Sequence, residues 1–263
     1  MNISVITINF NNRDGLKRTI ESVVCQTNAD FEFIIIDGGS TDGSVDIIRE
    51  YEKSITYWVS EKDHGVYHAM NKGVIQARGE HLIFMNSGDC FHSPYVLDSI
   101  KEYKEDIVCG QVIKGEAPIP SGPKESTITL VDLMRGSLPH QAMFIKKQLL
   151  LDHPYDEHYK IMSDWKFCIE TIIFDNCSFR ASDVIVANYD TSGISTNSNG
   201  LLPKERNMIL QELFPPRVIA DYLRFSPVDD ELFDQSLLLT QTVGARKIAK
   251  NIINLILRLV NKK

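Results

Sequence analysis

The clearest indication of the fold is the stretch FEFIIIDGGSTDGS, residues 31–44. Its first half, Phe31–Asp37, is a nearly continuous apolar run, which is typical of a strand covered on both faces of a sheet. The Gly, Ser, Thr and Asp residues that follow favour a turn, and a helix is predicted at Val45–Tyr51. A strand, a turn and a helix in this order indicate one unit of an α/β fold.

The same unit recurs through the first hundred residues. Short β-rich runs predict three further strands, at Ile3–Asn9, Tyr57–Ser60 and His81–Met85. Helices are predicted at Leu16–Gln26 and Val66–Ala77. This alternation of strands and helices favours a mostly parallel sheet with helices on both faces.

The pattern changes after residue 105, where strand-like pieces and a single clear helix predict a mixed, partly antiparallel region. The pieces are Ile107–Ile113, Ala142–Ile145 and Phe179–Ala187, and the helix is Asp164–Phe174. Residues 203–263 are predicted to be helical, with breaks at prolines. We expect one domain with two halves, residues 1–105 and 106–200, followed by a helical C-terminal appendage at residues 201–263.

Composition restricts the class of protein. The 263 residues include 28 Lys and Arg and 35 Asp and Glu, so the formal charge is −7, and 43% are hydrophobic. These values indicate a folded globular protein, exclude an intrinsically disordered one and disfavour nucleic acid as a partner. The five cysteines are widely spaced, which predicts neither a disulfide framework nor a CxxC metal pair. With no signal-peptide pattern and no apolar run of about 18 residues, a cytoplasmic location is expected.

Polar residues follow each of the four predicted strands, at residues 9–12, 37–40, 61–65 and 86–89. Ligands of open α/β sheets bind outside the carboxyl ends of the strands, so these residues are candidates for a binding site. Their carboxylates suit Mg²⁺ or Mn²⁺ together with substrate phosphates. Taken singly, each loop is better explained by ordinary turn chemistry, since Asp and Gly at strand ends commonly form turns.

Five motifs occur in a specific order. They are SVITINFN at residues 4–11, IIDGGSTDGS at 35–44, NKG at 71–73 with ARGE at 77–80, FMNSGD at 84–89, and SDW at 163–165. This order and spacing resemble the family 2 glycosyltransferases over about residues 3–195. The resemblance implies a GT-A-like, Rossmann-type sheet flanked by helices, with nucleotide-sugar binding in residues 1–105 and acceptor binding in residues 106–200.

The resemblance also implies roles on the donor side. Asp37 would accept a hydrogen bond from N3–H of a uracil ring, while the backbone around Thr7 and Asn9 would line the base and ribose site. Lys72 or Arg78 would lie near the base or the diphosphate, where a cation offsets phosphate charge. These positions define the expected UDP-sugar site.

The expected metal ligand is Asp89. The family commonly has three carboxylates after the fourth strand, whereas this chain has Asn86, Ser87, Gly88 and Asp89. The resemblance therefore leaves Asp89 as the remaining ligand of a divalent ion, Mn²⁺ or Mg²⁺, which would act on the diphosphate as a Lewis acid. Asn86 and Ser87 are expected to contact the nucleotide-sugar.

The expected catalytic base is Asp164, in a segment similar to the one that supplies the base in the family. It would accept the proton of the attacking acceptor hydroxyl. His140 would reach the diphosphate or the acceptor, or is a strand histidine bonded to backbone. Residues 193–195 resemble the loop over the product site, and an ordinary turn is the alternative.

The predicted function is inverting transfer of a sugar from a UDP-sugar to a hydroxyl of a polysaccharide or lipid-linked oligosaccharide. One alternative is a non-catalytic subunit that binds nucleotide-sugars, which the reduced acidic motif favours. The other is a metal hydrolase built on Asp63, His64 and His68, since two histidines four residues apart lie on one face of a helix.

The C-terminal segment Arg246–Lys263 has six basic residues and no acidic one, with apolar side chains on one helical face. This pattern is typical of a helix lying on an anionic membrane surface. It predicts a peripheral contact with the inner face of the cell membrane. A helix packed on the domain or on a second subunit would show the same amphipathic pattern.

Overall fold

The structure is a computed structural model that describes residues 2–27, 30–115, 120–191, 200–225 and 251. The chain divides into two compact units, Met1–Glu212 and Leu213–Lys263. The division follows Glu212, so the helix after residue 200 belongs largely to the first unit, whereas the sequence had suggested a boundary before it. Residues 193–195 and all of the tail 246–263 except residue 251 lie outside the described part of the chain.

The first half alternates strands and helices as the sequence predicts. In chain order the elements are β1 Ile3–Asn9, α1 Arg13–Val24, β2 Phe31–Asp37, α2 Ser44–Glu50, β3 Tyr57–Ser60, α3 Val66–Gln76, β4 His81–Phe84, β5 Cys90–Phe91 and α4 Val96–Ile100. Strand bounds agree with the prediction to within one residue for β1 to β4. The bounds of α1 differ more because Asn12 caps it, accepting a hydrogen bond from the backbone N–H of Gly15.

The second half mixes short helices with longer strands. Its elements are β6 Ile107–Lys114, α5 Leu130–Arg135, β7 Met143–Lys146, α6 Lys147–Asp152, α7 Ser163–Cys168, β8 Phe179–Tyr189, α8 Leu201–Leu213 and α9 Pro216–Phe225. The helix predicted at Asp164–Phe174 consists of two segments: the α-helix α7 ends at Cys168, and a π-helical segment follows at Ile169–Phe174. The sequence analysis missed β5, α4, α5 and α6, whose two to six residues are too few to show a period.

One eight-stranded sheet has the order β3-β2-β1-β4-β7-β6-β8-β5. The pairs β3–β2, β2–β1 and β1–β4 are parallel, whereas β4–β7 and β7–β6 are antiparallel. The predicted parallel first half and mixed second half are therefore confirmed. The carboxyl ends of β1, β2, β3 and β4 meet at one edge, called here the carboxyl edge.

The core explains why the central strands are apolar on both faces. In β2, Phe33, Ile34, Ile35 and Ile36 are all essentially inaccessible to solvent. Helices cover the sheet, among them α1 on β5 and α3 on β1 and β2. Burial of such side chains contributes about 1.5–3 kcal/mol each, which fixes the sheet that carries the polar carboxyl edge.

None of the helices in the described residues has both the length and the apolar character needed to cross a bilayer.

Candidate active site

The carboxyl edge brings the ends of three strands side by side. Asn9 and Asp37 are paired residues of β1 and β2. Beyond β4, the backbone N–H of Ser87 donates to Ile8 O at 3.0 Å, so the chain after β4 continues along β1. Thr7 is buried and donates from its hydroxyl to Met85 O at 2.8 Å. Thr7 thus fastens β1 to the chain after β4.

Asp37 organises the loop that follows β2. Its side chain is fully buried, and its two oxygens accept five hydrogen bonds. Three come from side chains: Asn9 Nδ2 at 2.7 Å, the Ser40 hydroxyl at 2.6 Å and the Ser60 hydroxyl at 2.6 Å. Two come from backbone N–H groups, of Ser40 at 2.9 Å and of Gly39 at 3.2 Å. Burial pushes the pKa of Asp37 upward, but these hydrogen bonds together leave the pKa below its ordinary value. The carboxylate is enclosed by its own loop, and its contact with uracil stays a prediction.

The loops after β1 and β2 are joined by further hydrogen bonds. Asn11 accepts from Thr41 N–H at 2.8 Å through its side chain and donates its own N–H to the Ser40 hydroxyl at 2.7 Å. Asn11 has a positive φ of 49°, a conformation that Asn tolerates better than most residues. Arg13 N–H donates to Asp42 Oδ2 at 2.8 Å. These hydrogen bonds join the two loops into one continuous wall of the site.

Asp89 lies in a tight turn at the end of the FMNSGD motif. Asp89 is buried, with only 5% of its surface exposed. Its Oδ1 accepts a hydrogen bond from Asp190 N–H at 2.8 Å. Burial raises the pKa of Asp89 to about 6, against the lowering influence of this hydrogen bond and of His140. Gly88 has a φ of 110°, and a Cβ there would lie 2.7 Å from Asp190 Oδ2, so only glycine fits the turn.

A second group of side chains surrounds Asp164 at the start of α7. Tyr67, from α3, donates its hydroxyl to Asp164 Oδ1 at 2.9 Å. His140 Nδ1 lies 3.5 Å from Asp164 Oδ2, and His140 Nε2 lies 3.2 Å from Asn86 Nδ2. His140 thus links the predicted base to the turn that carries Asp89.

Burial and the neighbouring charges shift the pKa values of His140 and Tyr67 in this group. Burial alone would lower the pKa of His140, but its interaction with Asp164 and the charge of Asp89 raise the pKa above its ordinary value. Burial, followed by the charge of Asp164 and the hydrogen bond to it, raises the pKa of Tyr67 well above the usual range. Tyr67 therefore stays protonated at neutral pH and remains a donor to Asp164.

Two buried amide oxygens, Asn9 Oδ1 and Asn86 Oδ1, have no hydrogen-bond partner within the described residues. A buried acceptor without a donor is uncommon in a folded protein. Both atoms belong to the carboxyl edge. They mark positions where a ligand N–H, an O–H or a cation would complete the hydrogen bonding.

The oxygen atoms of the turn that carries Asp89 supply some, but not all, of the ligands that a divalent cation needs. Asp89 supplies one carboxylate, and the oxygen of Asn86 is unpartnered in the same turn. Across the described ranges, no group of three His, Cys, Asp or Glu side chains is arranged to hold a metal ion. A Mg²⁺ or Mn²⁺ ion prefers about six oxygen ligands, so most of them would have to come from a diphosphate and water.

The two basic candidates lie at opposite edges of the sheet. Lys72 forms an ion pair with Glu61 at 2.5 Å, and Glu61 N–H donates to Asp37 O, so Lys72 lies at the carboxyl edge. Arg78 precedes β4, and its N–H donates to Glu32 at the start of β2, with 2.7 Å between N and Oε2. The expected role of Arg78 at the base or diphosphate is wrong, because a residue before a parallel strand lies at its amino end.

The residues of the alternative metal site do not converge. The rings of His64 and His68 stack with their centroids 4.8 Å apart. The Asp63 carboxylate accepts from Gly65 N–H at 3.1 Å. This arrangement forms the entry to α3, and the metal-hydrolase hypothesis has no support from it.

Sequence reasoning missed two residues of the site. Tyr67 lies in the ExDxGxY stretch that begins at Glu61, but nothing local indicates that it reaches Asp164. Phe10 is 64% exposed and lies against Gly38, at which a Cβ would be 3.2 Å from Phe10 Cδ2. An exposed aromatic ring inside the polar NFNN segment is the signal that could have identified it.

Comparison with structures of known proteins supports the fold. TarS of S. aureus in complex with UDP-GlcNAc is 20% identical, with a TM-score of 0.61 over 75% of this chain and 61% of that chain. The mannosyltransferase PcManGT of Pyrobaculum calidifontis, in complex with GDP-Man and Mn²⁺, is 14% identical, with a TM-score of 0.62 over 97% of this chain and 80% of that one. The predicted GT-A-like α/β fold is confirmed, and the chain spans less than two thirds of the TarS chain.

Sequence comparison identifies the family. An uncharacterised glycosyltransferase of Mycobacterium tuberculosis is 32% identical over 213 residues, which cover 74% of this chain and 77% of that protein. A PGL/p-HBAD biosynthesis glycosyltransferase of Mycobacterium bovis is 30% identical over 206 residues, with coverage of 74% and 79%. These relatives favour an enzyme over a non-catalytic binding subunit. Residues 4–164 match the model of Glycosyl transferase family 2, and the chain belongs to this family of sugar-transferring enzymes.

Proposed function

We propose that this enzyme transfers a sugar, with inversion, from a UDP-sugar to a hydroxyl of a polysaccharide or lipid-linked saccharide, and that Asp164 is the catalytic base. The observation that carries the proposal is the placement of Asp164 beside His140, which also contacts the Asn86–Asp89 turn. A base at this position is adjacent to the turn where the diphosphate is expected.

The chemistry requires one proton acceptor. The acceptor hydroxyl attacks the anomeric carbon, its proton passes to an Asp164 oxygen, and the bond from that carbon to the diphosphate oxygen breaks to release UDP. Tyr67 and His140 orient the Asp164 carboxylate from two sides. Inversion follows from a single displacement, with no covalent link between sugar and protein.

The donor side of the proposal rests on the wall formed after β1 and β2. The exposed ring of Phe10 offers a face on which a base can stack. Asn9 Oδ1 is a buried acceptor without a partner in the described chain. Asp37 contributes by holding Asn9 and Ser40 in place. A uracil N–H and an aromatic stack suit this combination, and a neighbour of similar fold binds UDP-GlcNAc.

We place the divalent ion of the proposed reaction at Asp89, with Asn86 as a further oxygen donor. When bound, such an ion stabilises the charge that develops on the leaving diphosphate. Lys72, which pairs with Glu61 at this edge, supplies a cation near the same phosphates. A mannosyltransferase of similar fold is described with Mn²⁺.

The tail Arg246–Lys263 supports a membrane-bound acceptor, because its basic and apolar faces suit an anionic lipid surface. Deletion of residues 245–263 is expected to abolish co-sedimentation with vesicles that contain phosphatidylglycerol. Unchanged co-sedimentation would instead favour a helix that packs on protein.

The base is tested by Asp164→Asn, with Asp183→Asn as a matched control on an exposed position of β8. Asp164→Asn is expected to abolish UDP release from UDP-sugars while UDP affinity, measured by calorimetry with Mn²⁺, stays within about twofold. The control should behave as wild type. Wild-type turnover in Asp164→Asn would disprove the assignment.

The donor and the metal are tested together by thermal shift with UDP, GDP and dTDP, each with and without Mn²⁺. A ligand at a hundredfold excess over its Kd stabilises the folded state by about 2.7 kcal/mol. A shift that is specific to UDP and larger with Mn²⁺ is expected, and Asp89→Ala should remove the Mn²⁺-dependent part. Equal UDP affinity of wild type and Asp89→Ala in Mn²⁺ would place the ion elsewhere.

A further inference from the structure

Helix α8 lies beyond residues 4–164 that match the family model, and its acidic residues contact the segment around Asp164. Glu205 is only 4% exposed. Its Oε1 accepts from Lys160 N–H at 2.7 Å and its Oε2 accepts from Ile161 N–H at 3.0 Å. One buried carboxylate therefore holds two consecutive backbone groups a few residues before the predicted base.

The same helix also contacts the residues that follow Asp164. The Arg206 guanidinium lies over the Trp165 ring, 4.9 Å from its centroid. Glu212 accepts from Lys166 Nζ at 2.6 Å and from the Tyr159 hydroxyl at 2.7 Å. Helix α8 thus contacts the chain on both sides of the base.

The start of this segment, at residues 155 and 156, is held by helix α3 and by Ser163. Asn71 of α3 exchanges two hydrogen bonds with the Tyr155 backbone, at 2.8 and 3.0 Å. Asp156 N–H donates to the Ser163 hydroxyl at 2.6 Å. Between these contacts and Asp164, the backbone at Lys160 and Ile161 is held by Glu205. Without its carboxylate, two partly buried N–H groups would lose their acceptors at once, and this loss would favour a shifted loop.

We infer that Glu205 is a positioning residue for the Asp164 carboxylate, and that helix α8 is a required part of the catalytic site through this contact. The inference rests on the proposed role of Asp164 as base. A displacement of a reacting group by about 1 Å can reduce a rate by about a hundredfold. Because the proposed donor site lies at the carboxyl edge and Glu205 contacts only the chain before Asp164, we expect UDP affinity to be independent of Glu205.

The test compares Glu205→Ala and Glu205→Gln with Asn207→Ala, a control at an exposed position of the same helix. Turnover is measured as UDP release from UDP-glucose, UDP-galactose or UDP-N-acetylglucosamine, whichever the wild type uses fastest, well below each variant's Tm. UDP affinity is measured by calorimetry with Mn²⁺. We expect kcat to fall at least tenfold in Glu205→Ala with UDP affinity unchanged, and the control to match wild type.

Glu205→Gln is the decisive variant if Glu205→Ala does not fold. Glutamine keeps one acceptor oxygen, so it should satisfy one of the two N–H groups and give an intermediate kcat. Hydrogen exchange at the Lys160 and Ile161 amides should rise in the same order as kcat falls. Wild-type kcat in folded Glu205→Gln, or an equal loss of kcat and UDP affinity, would overturn the inference.

Asp164→Asn in the same assay separates the two proposals. If Asp164→Asn is inactive and the Glu205 variants are fully active, the positioning role is wrong and the base assignment stands. If Asp164→Asn is active, the proposed base itself is wrong.

Discussion

At the residue scale, Tyr67 and Tyr155 provide a natural comparison. Their rings are neighbours, with centroids 5.4 Å apart, and both side chains are buried. The Tyr67 hydroxyl donates to Asp164, whereas the Tyr155 hydroxyl has no hydrogen-bond partner in the described part of the chain. The two hydroxyl groups should therefore respond oppositely to removal.

We expect Tyr67→Phe to lower kcat roughly tenfold, because a hydrogen bond to a charged group is lost at the base. UDP affinity should not change. Tyr155→Phe is the control, and it should preserve kcat and leave Tm equal or higher, since it removes an unpaired buried hydroxyl. Equal kcat in the two variants would show that the Tyr67 hydroxyl does not act on Asp164.

Asp89 makes stability depend on pH. Its pKa of about 6 in the folded protein exceeds the ordinary value of 3.8 because of burial. The folded state therefore binds the proton more tightly, and this stabilisation is present below about pH 4 and lost as pH rises through 6. In metal-free buffer, Asp89→Asn should gain stability relative to wild type as pH rises from about 4 to 7, by up to about 3 kcal/mol in total. A difference in Tm that is constant over this range would contradict the prediction.

At the element scale, the approach of α3 to the sheet depends on Gly73. A Cβ at Gly73 would lie 2.5 Å from Ile6 Cγ2, and Ile6 is a fully buried residue of β1. Overpacking of this kind destabilises by about 1–3 kcal/mol, more than alanine contributes through helix propensity. Helix α3 also carries Tyr67 and Lys72, so its position matters to the site.

We expect Gly73→Ala to lower Tm and the denaturant midpoint, with a smaller loss of kcat in the fraction that remains folded. Ile75→Ala is the control on the same helix, because Ile75 is 68% exposed. It should change stability by less than about 0.5 kcal/mol. If both variants unfold at the wild-type midpoint, α3 has room to move away from β1.

At the scale of the whole molecule, the first compact unit includes most of α8. Three residues of this helix, Glu205, Ile209 and Leu210, are buried. A chain that ends after Leu213 should fold and bind UDP with wild-type affinity, whereas a chain that ends at residue 200 should have a lower Tm and no transfer activity. Circular dichroism and calorimetry check both. Equal Tm of the two fragments would remove α8 from the folded domain.

The sequence by itself determined the family, the parallel first half of the sheet and the polar carboxyl edge. These features are local, since apolar runs specify β1 to β4 and turn residues specify where each strand ends. Asn9, Asn86 and Asp89 were placed correctly at that edge for this reason. The mixed second half was also recognised, without its short helices.

Only the tertiary structure decided which side chains meet. Tyr67 and Asp164 are 97 residues apart in the chain and share a hydrogen bond. Arg78 lies at the edge of the sheet opposite the carboxyl edge, although its motif follows that of Lys72 closely in the sequence. Asp37 is enclosed by its own loop. The contact of Glu205 with the chain before Asp164 likewise has no sequence pattern. Periodicity reports which face of an element is buried, whereas contacts between distant segments depend on how the elements pack.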